Sequence, residues 1–381
     1  MIQSRSILLI LVAAFSILIL AIDVGRNFNV SNANQIEKGM VVVWALVTLW
    51  LGRINLFGVL GFFCITLIIL ISGINTDYVY YDYKTSLMSF TQIMALLFFF
   101  IAILDEPSLV SSLKVVSFAA TISLVVGSVF SLMGYRELFR AEYATGILRL
   151  GGSTVSAFMA GLCIMSSISS LYLWLRYDKR FKYIFIISFI CLLLTMGRMA
   201  LFIGALLCYF RFLTMKTVSS RVKCQATLVL FFIGLIISAF ILPSLIERME
   251  NSGSSGRDIL WHFVMYMIEQ YPDFGIGFGH QFLSTPQDII ARTASWSAHN
   301  EYLRITLELG VLPAIFFFIF LFLTLCSPMM YFKKIDAFYL FSVMLYMISC
   351  ITDNNISSPH MFLFLVCSYY TFLLELTCEK K

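Results

Sequence analysis

The sequence predicts an all-α fold, a polytopic bundle of about twelve transmembrane helices with one long, partly helical loop outside the bilayer. Of its 381 residues, 60% are hydrophobic and 12% are charged, about half the charged share of a soluble domain. Runs such as 6–22, 54–74 and 226–243 are almost free of charge and have the length, about 20 residues, that crosses a bilayer as a helix. These runs are continuous rather than alternating, which favours helices over strands.

The first apolar run follows Arg5 and has two interpretations. A cleaved signal peptide is the minor one, because the apolar core is long and no small-x-small cleavage site follows. A retained first helix is therefore expected. The nine cysteines include no C-x-x-C pair, so they predict neither a disulfide framework nor a zinc ribbon. The predicted spans lie near 6–22, 39–52, 54–74, 88–104, 112–133, 153–175, 183–196, 199–213, 226–243, 308–327, 337–352 and 361–376.

Lysine and arginine set the expected orientation of this single membrane domain, residues 1–381. They are concentrated in one set of connections, including RYDKR at 176–180 and the terminal EKK. The positive-inside rule places these connections and both termini in the cytoplasm. The opposite connections are net acidic and are expected in the periplasm of a bacterium. They include a smaller loop at 134–152 and a large loop at 244–307, whose apolar stretch at 259–268 predicts a folded lid.

Three arginines stand out on the expected periplasmic side. Arg198, in CLLLTMGRMALFIGAL, has long apolar flanks, and at bilayer depth it would cost about 2.5–3.5 kcal/mol. It either reaches towards lipid headgroups or binds an anion in a cavity. Arg149 and Arg257 each precede an apolar helix beside glycine and serine, a setting that suits anions. Together they predict a cationic pocket, with Arg136 and Arg140 as weaker candidates.

The stretch SWSAHNEYLRITLELG at 295–310 places a titratable group at the start of a helix. Ser297 is the expected N-cap, with Glu301 in the first turn. His299 would lie at the membrane boundary, where an imidazole can exchange protons near neutral pH. The alternative is a hydrogen-bonded histidine with a packing role. Asn300 could orient a sugar or the imidazole.

Two further patterns carry less weight. The glycine run in YPDFGIGFGH, with no surrounding βαβ unit, predicts a tight turn with close backbone approach rather than a dinucleotide site. A metal site is the competing chemistry, but the spacing of its candidate ligands matches no known pattern. No metal is therefore expected. The candidate ligands are His262, His280, His299 and His360, with Asp258 or Asp273.

Several of these motifs together resemble the O-antigen polymerase/ligase superfamily, which includes the Wzy polymerases and the WaaL ligase. They are R-x-x-x-W at 257–261, P-x-x-G-x-G-x-G at 272–279 and H-N-x-Y-L…E-x-G at 299–310. Gly-Arg at 197–198 is similar to the family's Ser-Arg between two spans, with glycine replacing serine. Arg149 is similar to an arginine in the earlier periplasmic loop of many polymerases.

The resemblance implies a glycosyltransferase that acts on undecaprenyl-pyrophosphate-linked oligosaccharide at the periplasmic face of the inner membrane. It implies essential roles for Arg198, Arg257 and His299, the histidine as general base, without metal or nucleotide cofactor. Arg149, Asn300 and Arg140 are the candidates for substrate binding. The expected partners are the lipid-linked oligosaccharide, membrane lipids and a chain-length regulator, with no nucleic acid.

The resemblance makes a polymerase that joins repeat units the first expectation, because the short loops and modest chain length are similar to those of the family's polymerases. The alternative within the class is the ligase, which transfers the finished glycan to lipid A–core. A lipid-linked oligosaccharide flippase belongs to a different class; the arginines cluster at one boundary rather than along a midplane path, which disfavours it. A purely structural role is a further alternative. As an enzyme, the protein should bring Arg198, Arg257 and His299 into one wet chamber.

Overall fold

The computed structural model describes residues 2–28, 33–141, 146–229, 232, 257–293 and 295–378. These residues are predominantly helical, which confirms the predicted all-α class. Residues 220–229 are helical too, and most of the predicted span at 226–243 lies outside the described residues. The other helices are α1 (Ile2–Ile22), α2 (Val24–Phe28), α3 (Ala33–Leu51), α4 (Leu56–Asn75), α5 (Tyr83–Ile101), α6 (Glu106–Ser117), α7 (Ala119–Leu132), α8 (Ser156–Arg176), α9 (Phe181–Leu194), α10 (Arg198–Thr214), α11 (Arg257–Gln270), α12 (Gln281–Ser284), α13 (Gln287–Thr293), α14 (Glu301–Leu309), α15 (Val311–Phe332), α16 (Ala337–Ser349) and α17 (Pro359–Cys378).

Six helical segments in the described part of the chain are long and apolar enough to cross a membrane. Shorter apolar helices occupy Ile7–Ile22, Phe181–Leu194 and Ala337–Ser349. At 1.5 Å per residue, the 14 residues of α9 extend about 21 Å, less than the roughly 30 Å hydrocarbon core. Fewer full-length crossings are therefore present in these residues than the twelve predicted spans. The six are Leu56–Asn75, Tyr83–Ile101, Glu106–Leu132 (α6 with α7), Ser156–Arg176, Val311–Phe332 and Pro359–Cys378.

Helices α8 and α17 form the centre of the bundle. Of their apolar windows, 83% and 78% are buried, against 33% for α4. The α8 sequence is rich in glycine, alanine and serine, and small residues let helix backbones approach closely. At Gly161, an added Cβ would collide with the carbonyl of His360. This close approach brings the first turns of α8 and α17 together at one end of the bundle.

The connection at 134–152 contains a β-hairpin that the sequence analysis did not predict. Strand β3 (Phe139–Ala141) pairs antiparallel with β4 (Leu148–Leu150), and Arg140 lies opposite Arg149. Strands of three residues are too short to show a clear alternating pattern. The hairpin holds Arg149 just before α8. A second two-stranded pair joins Arg53–Ile54 to Ala102–Ile103.

The described part of the large connection contains helices α11 to α13 and most of α14. Helix α11 covers the apolar stretch at 259–268, which predicted a helix. The glycine run of this connection forms the predicted turn with close backbone approach. Gly275, Gly277 and Gly279 have φ of 65°, 95° and 84°, and a Cβ at any of them would collide with a neighbouring atom. The N–H of Ile276 donates to the carbonyl of Leu307 at 2.9 Å, which joins this turn to α14.

Candidate active site

Three arginines from three separate segments line one cavity of about 530 Å³, here called the arginine cavity. Arg149 comes from the hairpin, Arg198 from the start of α10 and Arg257 from the start of α11. The structure therefore brings together all three arginines singled out in the sequence. The other lining groups include hydroxyl and amide side chains, namely Ser156, Thr195, Ser349, Thr352 and Asn355.

Two helix N-termini add to the positive character of the arginine cavity. Helix α8 begins at Ser156 and α10 begins at Arg198, and both residues line the cavity. Neither preceding residue, Val155 nor Gly197, caps its helix through a side chain. The first-turn N–H groups therefore donate no hydrogen bond to an N-cap side chain, and they lie at the positive end of the helix dipole. Such an end suits an anionic ligand.

Arg198 follows the tight junction between two spans that the sequence predicted. Helix α9 ends at Leu194 and α10 begins at Arg198. Within the turn, Met196 has a φ of 53°, a left-handed conformation that is costly for a side chain other than glycine or asparagine. The Thr195 hydroxyl donates to the Leu192 carbonyl at 2.7 Å and stabilises the turn.

His299 lies in an adjoining cavity of about 380 Å³, here called the histidine cavity. The sequence analysis expected one chamber for the arginines and the histidine; in the structure they line two adjoining cavities that share part of their lining. Ala157, Asp353 and Met361 line both of them. The first turns of α8 and α17, with the loop before α17, form the boundary because those two helices pack so closely.

The imidazole of His299 faces the carboxylate of Asp353, with 3.2 Å between Nδ1 and Oδ1. The two side chains are 35% and 34% exposed, so ligands can reach both. Burial acts to raise the pKa of Asp353, but the His299 hydrogen bond and charge, the Asn354 N–H and the Arg257 charge hold that pKa below its usual value. An ionised Asp353 favours the proton on Nδ1 and leaves the Nε2 lone pair free to act as a base.

The R-x-x-x-W motif connects the two cavities. Trp261, one helical turn after Arg257, donates from its indole Nε1 to the carbonyl of Ala298 at 2.7 Å. A guanidinium nitrogen of Arg257 donates to the carbonyl of Thr352 at 3.3 Å. Helix α11 therefore fixes the backbone beside His299 and rests on the loop that carries Asp353. His299 itself has a φ of 48°, which is strained backbone of the kind found at functional sites.

A buried ionic network in α14 holds the loop at 350–356 in place. Arg304 donates to Glu301 at 2.6 Å and to Glu308 at 3.0 Å. The Glu301 carboxylate also accepts the N–H of Ile356 at 2.8 Å, and the Glu301 N–H donates to the carbonyl of Cys350 at 2.8 Å. These contacts fix Asp353 relative to His299, so the charged residues after the histidine are structural.

Asn300 lines neither cavity. It is the N-cap of α14, and its Oδ1 accepts the N–H of Leu303 at 3.1 Å. This corrects the prediction that Ser297 would be the cap. The short amide of Asn300 closes the first turn directly, and the Ser297 hydroxyl instead accepts a hydrogen bond from Asn354 at 2.6 Å. Glu301 lies in the first turn, as predicted.

Arg140 also lies outside both cavities. Its guanidinium donates to the carbonyls of Thr154 at 2.7 Å and Gly152 at 3.2 Å. Burial and then the charge of Arg136 lower the pKa of Arg140 to about 10, so it remains charged at neutral pH. Arg140 thus shapes the turn between the hairpin and α8 and supports Arg149 indirectly.

The histidines of the competing metal interpretation make separate contacts. His262 Nδ1 is 2.7 Å from the Asp258 carbonyl, and His280 Nε2 accepts the N–H of Asp82 at 2.9 Å. His360 stacks on Phe158 with ring centroids 4.2 Å apart. Within the described ranges, no three His, Cys, Asp or Glu side chains come together as a group that could hold a metal.

Sequence reasoning missed Asp353, the one ionisable residue among the three that line both cavities. It lies in ITDNN at 351–355, which the sequence analysis treated only as an acidic outer connection. The available signal was one carboxylate and two amides between two apolar helices, on the same expected side as His299. Nothing in the sequence pairs residue 299 with a residue 54 positions later, because the contact depends on how α14 packs against α16.

Residues 183–319 match the family model described as O-antigen ligase. The matched segment includes Arg198, Arg257 and His299, whereas Arg149 and Asp353 lie outside it. The match supports the resemblance to the O-antigen polymerase/ligase superfamily over this segment of the chain. It indicates a membrane enzyme of surface-polysaccharide synthesis. This description applies equally to the polymerases and the ligases. No curated protein matches the chain.

Proposed function

We propose that this protein is a polymerase of O-antigen or a related surface polysaccharide. It joins undecaprenyl-pyrophosphate-linked repeat units, moving the growing chain onto each new unit. The observation that carries the proposal is the cavity lined by Arg149, Arg198 and Arg257 beside the His299–Asp353 pair. The family match supports the class of enzyme.

The arginine cavity suits the pyrophosphate of the donor. A pyrophosphate esterified at both ends still carries one negative charge on each phosphate, and planar guanidinium groups bind such oxygens in pairs. When the glycosidic bond to pyrophosphate breaks, further charge develops on the leaving oxygen. Fixed cations and helix N-termini stabilise that charge without rearrangement. Arg198 and Arg257 are assigned to this step, with Arg149 completing the binding site.

His299 is assigned as the general base. Its Nε2 takes the proton of an acceptor sugar hydroxyl as the hydroxyl oxygen bonds to the anomeric carbon of the donor. The bond from that carbon to the pyrophosphate breaks, and undecaprenyl pyrophosphate leaves. Asp353 keeps the proton on Nδ1 and stabilises the imidazolium that forms. General base catalysis of this kind contributes about 10²–10⁴-fold to a rate.

The proposed location is the inner membrane of a bacterium, with both termini in the cytoplasm and the two cavities at the periplasmic end. The distribution of lysine and arginine supports this orientation. Apolar helices would provide a wall for the polyprenyl tail, while the cavities hold the sugars in water. A chain-length regulator is a proposed protein partner.

The lipopolysaccharide ladder of a deletion strain tests the polymerase assignment. A polymerase deletion leaves a single repeat unit on the core. If the strain instead lacks O-antigen on the core and accumulates lipid-linked polymer, the protein is the ligase of the same superfamily.

Liposomes containing purified protein separate both enzymes from a flippase. Lengthening of supplied lipid-linked units supports the polymerase. Transfer of those units between leaflets without lengthening would contradict any glycosyltransferase assignment.

A further inference from the structure

We propose that the histidine cavity is the acceptor subsite and binds an uncharged sugar of the incoming lipid-linked unit, while the arginine cavity holds the donor pyrophosphate. This inference rests on the proposed function. It assigns separate substrates to two cavities that meet at Asp353.

The charges of the two cavities differ in a way that separates their ligands. Three arginines and the single carboxylate of Asp353 line the arginine cavity. The histidine cavity is lined by two basic side chains, Arg26 and Lys38, and two carboxylates, Glu37 and Asp353. Excess positive charge suits a pyrophosphate. A balanced set of donors and acceptors suits a neutral ligand with many hydroxyl groups, because a second pyrophosphate there would meet two carboxylates.

The position of the base gives an independent argument. A general base must lie within hydrogen-bond reach of the proton that it removes. His299 lines the histidine cavity and is absent from the lining of the arginine cavity. The hydroxyl that His299 deprotonates therefore belongs in the histidine cavity. Since Asp353, Ala157 and Met361 line both cavities, the anomeric carbon of the donor would meet that hydroxyl at their shared boundary.

The histidine cavity is built from prearranged polar groups. Lys38 donates to Gln92 at 2.8 Å, and the Glu37 carboxylate accepts the N–H of Gly25 at 3.5 Å. Ser357, Ser358 and Asn354 add two hydroxyls and an amide to the lining. The volume of about 380 Å³ lies in the usual range for small-ligand pockets, roughly 300–1,000 Å³.

One wall of the histidine cavity is a rigid stack. The guanidinium of Arg26 lies 5.0 Å from the centre of the Phe158 ring, and His360 stacks on the same ring. All three residues line the cavity. A site that hydrogen-bonds particular hydroxyl groups rejects sugars that lack them. Glu37, Lys38 and Ser357 are therefore the residues expected to select the acceptor sugar.

Two probes separate the two cavities. The donor probe is undecaprenyl pyrophosphate. The acceptor probe is the phosphate-free repeat-unit oligosaccharide, released by mild acid from the lipid-linked units of a deletion strain. Binding of the first is measured directly on full-length protein in nanodiscs. Binding of the second is measured with radiolabelled oligosaccharide on the same nanodiscs and, in variants that lengthen chains, also as inhibition of lengthening of the lipid-linked units.

Ser357→Leu should place a larger side chain in the histidine cavity. The concentration of oligosaccharide needed for inhibition should rise by about tenfold or more, as expected when one or two hydrogen bonds to a ligand are lost. Glu37→Gln, which is nearly isosteric, should act in the same direction. Both variants should keep the affinity for undecaprenyl pyrophosphate within about threefold, which also shows that they are folded. Ser131→Leu and Glu269→Gln, at exposed positions outside both cavities, are the matched controls.

Arg198→Ala should show the opposite pattern: weak binding of undecaprenyl pyrophosphate and unchanged binding of the radiolabelled oligosaccharide. If Arg198→Ala binds the lipid normally, the proposed function fails. If Arg198→Ala binds the lipid weakly, as expected, but Ser357→Leu and Glu37→Gln bind the oligosaccharide normally, the acceptor assignment alone is overturned. Failure of the oligosaccharide to inhibit the unmodified enzyme would overturn it as well.

Discussion

Helix α10 carries an arginine at each end, and the two have opposite surroundings. Arg211, near its last turn, is 2% exposed, pairs with Glu375 at 3.1 Å and lies between the rings of Tyr172 and Phe338, at 4.6 and 4.8 Å. Arg198, its first residue, lines a cavity with two other arginines and makes no ion pair with another described residue.

The difference separates a charge paired within the fold from one that we propose to bind the substrate. The fold itself neutralises Arg211, through a carboxylate and two aromatic faces. Arg198 lies beside further positive charge at the edge of an apolar bundle, where an uncompensated cation is costly. An anion from outside the protein would compensate it. The arginine end of α10 is therefore where a diphosphate is expected, and the other end supports folding.

His299→Ala should have the largest effect, a loss of chain lengthening of about 10²–10⁴-fold, because the base is removed. Because His299→Ala should remove catalysis and not folding, the amount of the variant protein in the membrane should be normal. The measurement is the length distribution of polysaccharide in a complemented deletion strain. His262→Ala, an exposed histidine outside both cavities, is the control. Long chains in the His299→Ala strain would remove the base from the mechanism.

The pair Arg198→Ala and Arg211→Met tests the comparison directly. Arg198→Ala should lower lengthening by about 10²–10³-fold, the usual loss for a group that stabilises developing charge, with unchanged thermal stability in detergent. Arg211→Met should instead lower stability by roughly 2–3 kcal/mol, since it leaves a partly buried carboxylate unpaired. Its activity per folded molecule should be retained. The same loss of stability in both variants would favour a structural role for Arg198.

Asp353→Asn should reduce lengthening by about 10–100-fold, typical for a residue that orients another functional group. The amide keeps the shape but no longer stabilises a charged imidazole. Unlike the arginine variants, this one should leave binding of undecaprenyl pyrophosphate intact, and kcat should fall more than KM rises. Asp288→Asn, exposed in α13, is the control. A change confined to KM would contradict the positioning role.

Arg257→Lys should reduce lengthening by roughly tenfold, because lysine keeps the charge but loses the paired donors. The binding of undecaprenyl pyrophosphate should weaken to a similar extent. Arg292→Lys, exposed in the same connection and outside both cavities, should behave like the unmodified enzyme. Equal activity of Arg257→Lys and the unmodified enzyme would show that only charge matters at this position.

Chelation should have the smallest effect. If cationic side chains rather than a metal bind the pyrophosphate, lengthening in the presence of EDTA should equal that in its absence. The measurement is the rate in liposomes before and after dialysis against the chelator. If activity is lost and a divalent cation restores it, a metal is required. Arg198 would then not be the main group that binds the pyrophosphate, unlike in the comparison with Arg211.

The sequence motifs singled out Arg149, Arg198, Arg257 and His299, which line the two cavities, whereas the candidates Asn300 and Arg140 line neither. Asn300 was a candidate for substrate binding, and in the structure its side chain caps the start of α14. Serine and asparagine are both favoured N-cap residues, so the sequence alone did not show whether Ser297 or Asn300 would cap α14. The residue directly before the first helical turn, Asn300, is the cap. The hairpin that carries Arg149 was missed because its strands have only three residues each.

Hydropathy alone determined that this protein is a helical membrane bundle, because a bilayer leaves the backbone few other options. The short motifs determined which superfamily it resembles. Only the tertiary structure decided that Asp353 faces His299, and that the arginines and the histidine line two adjoining cavities. That outcome depends on the close packing of α8 against α17, which no local pattern specifies because the contacting residues are separated by about half the chain.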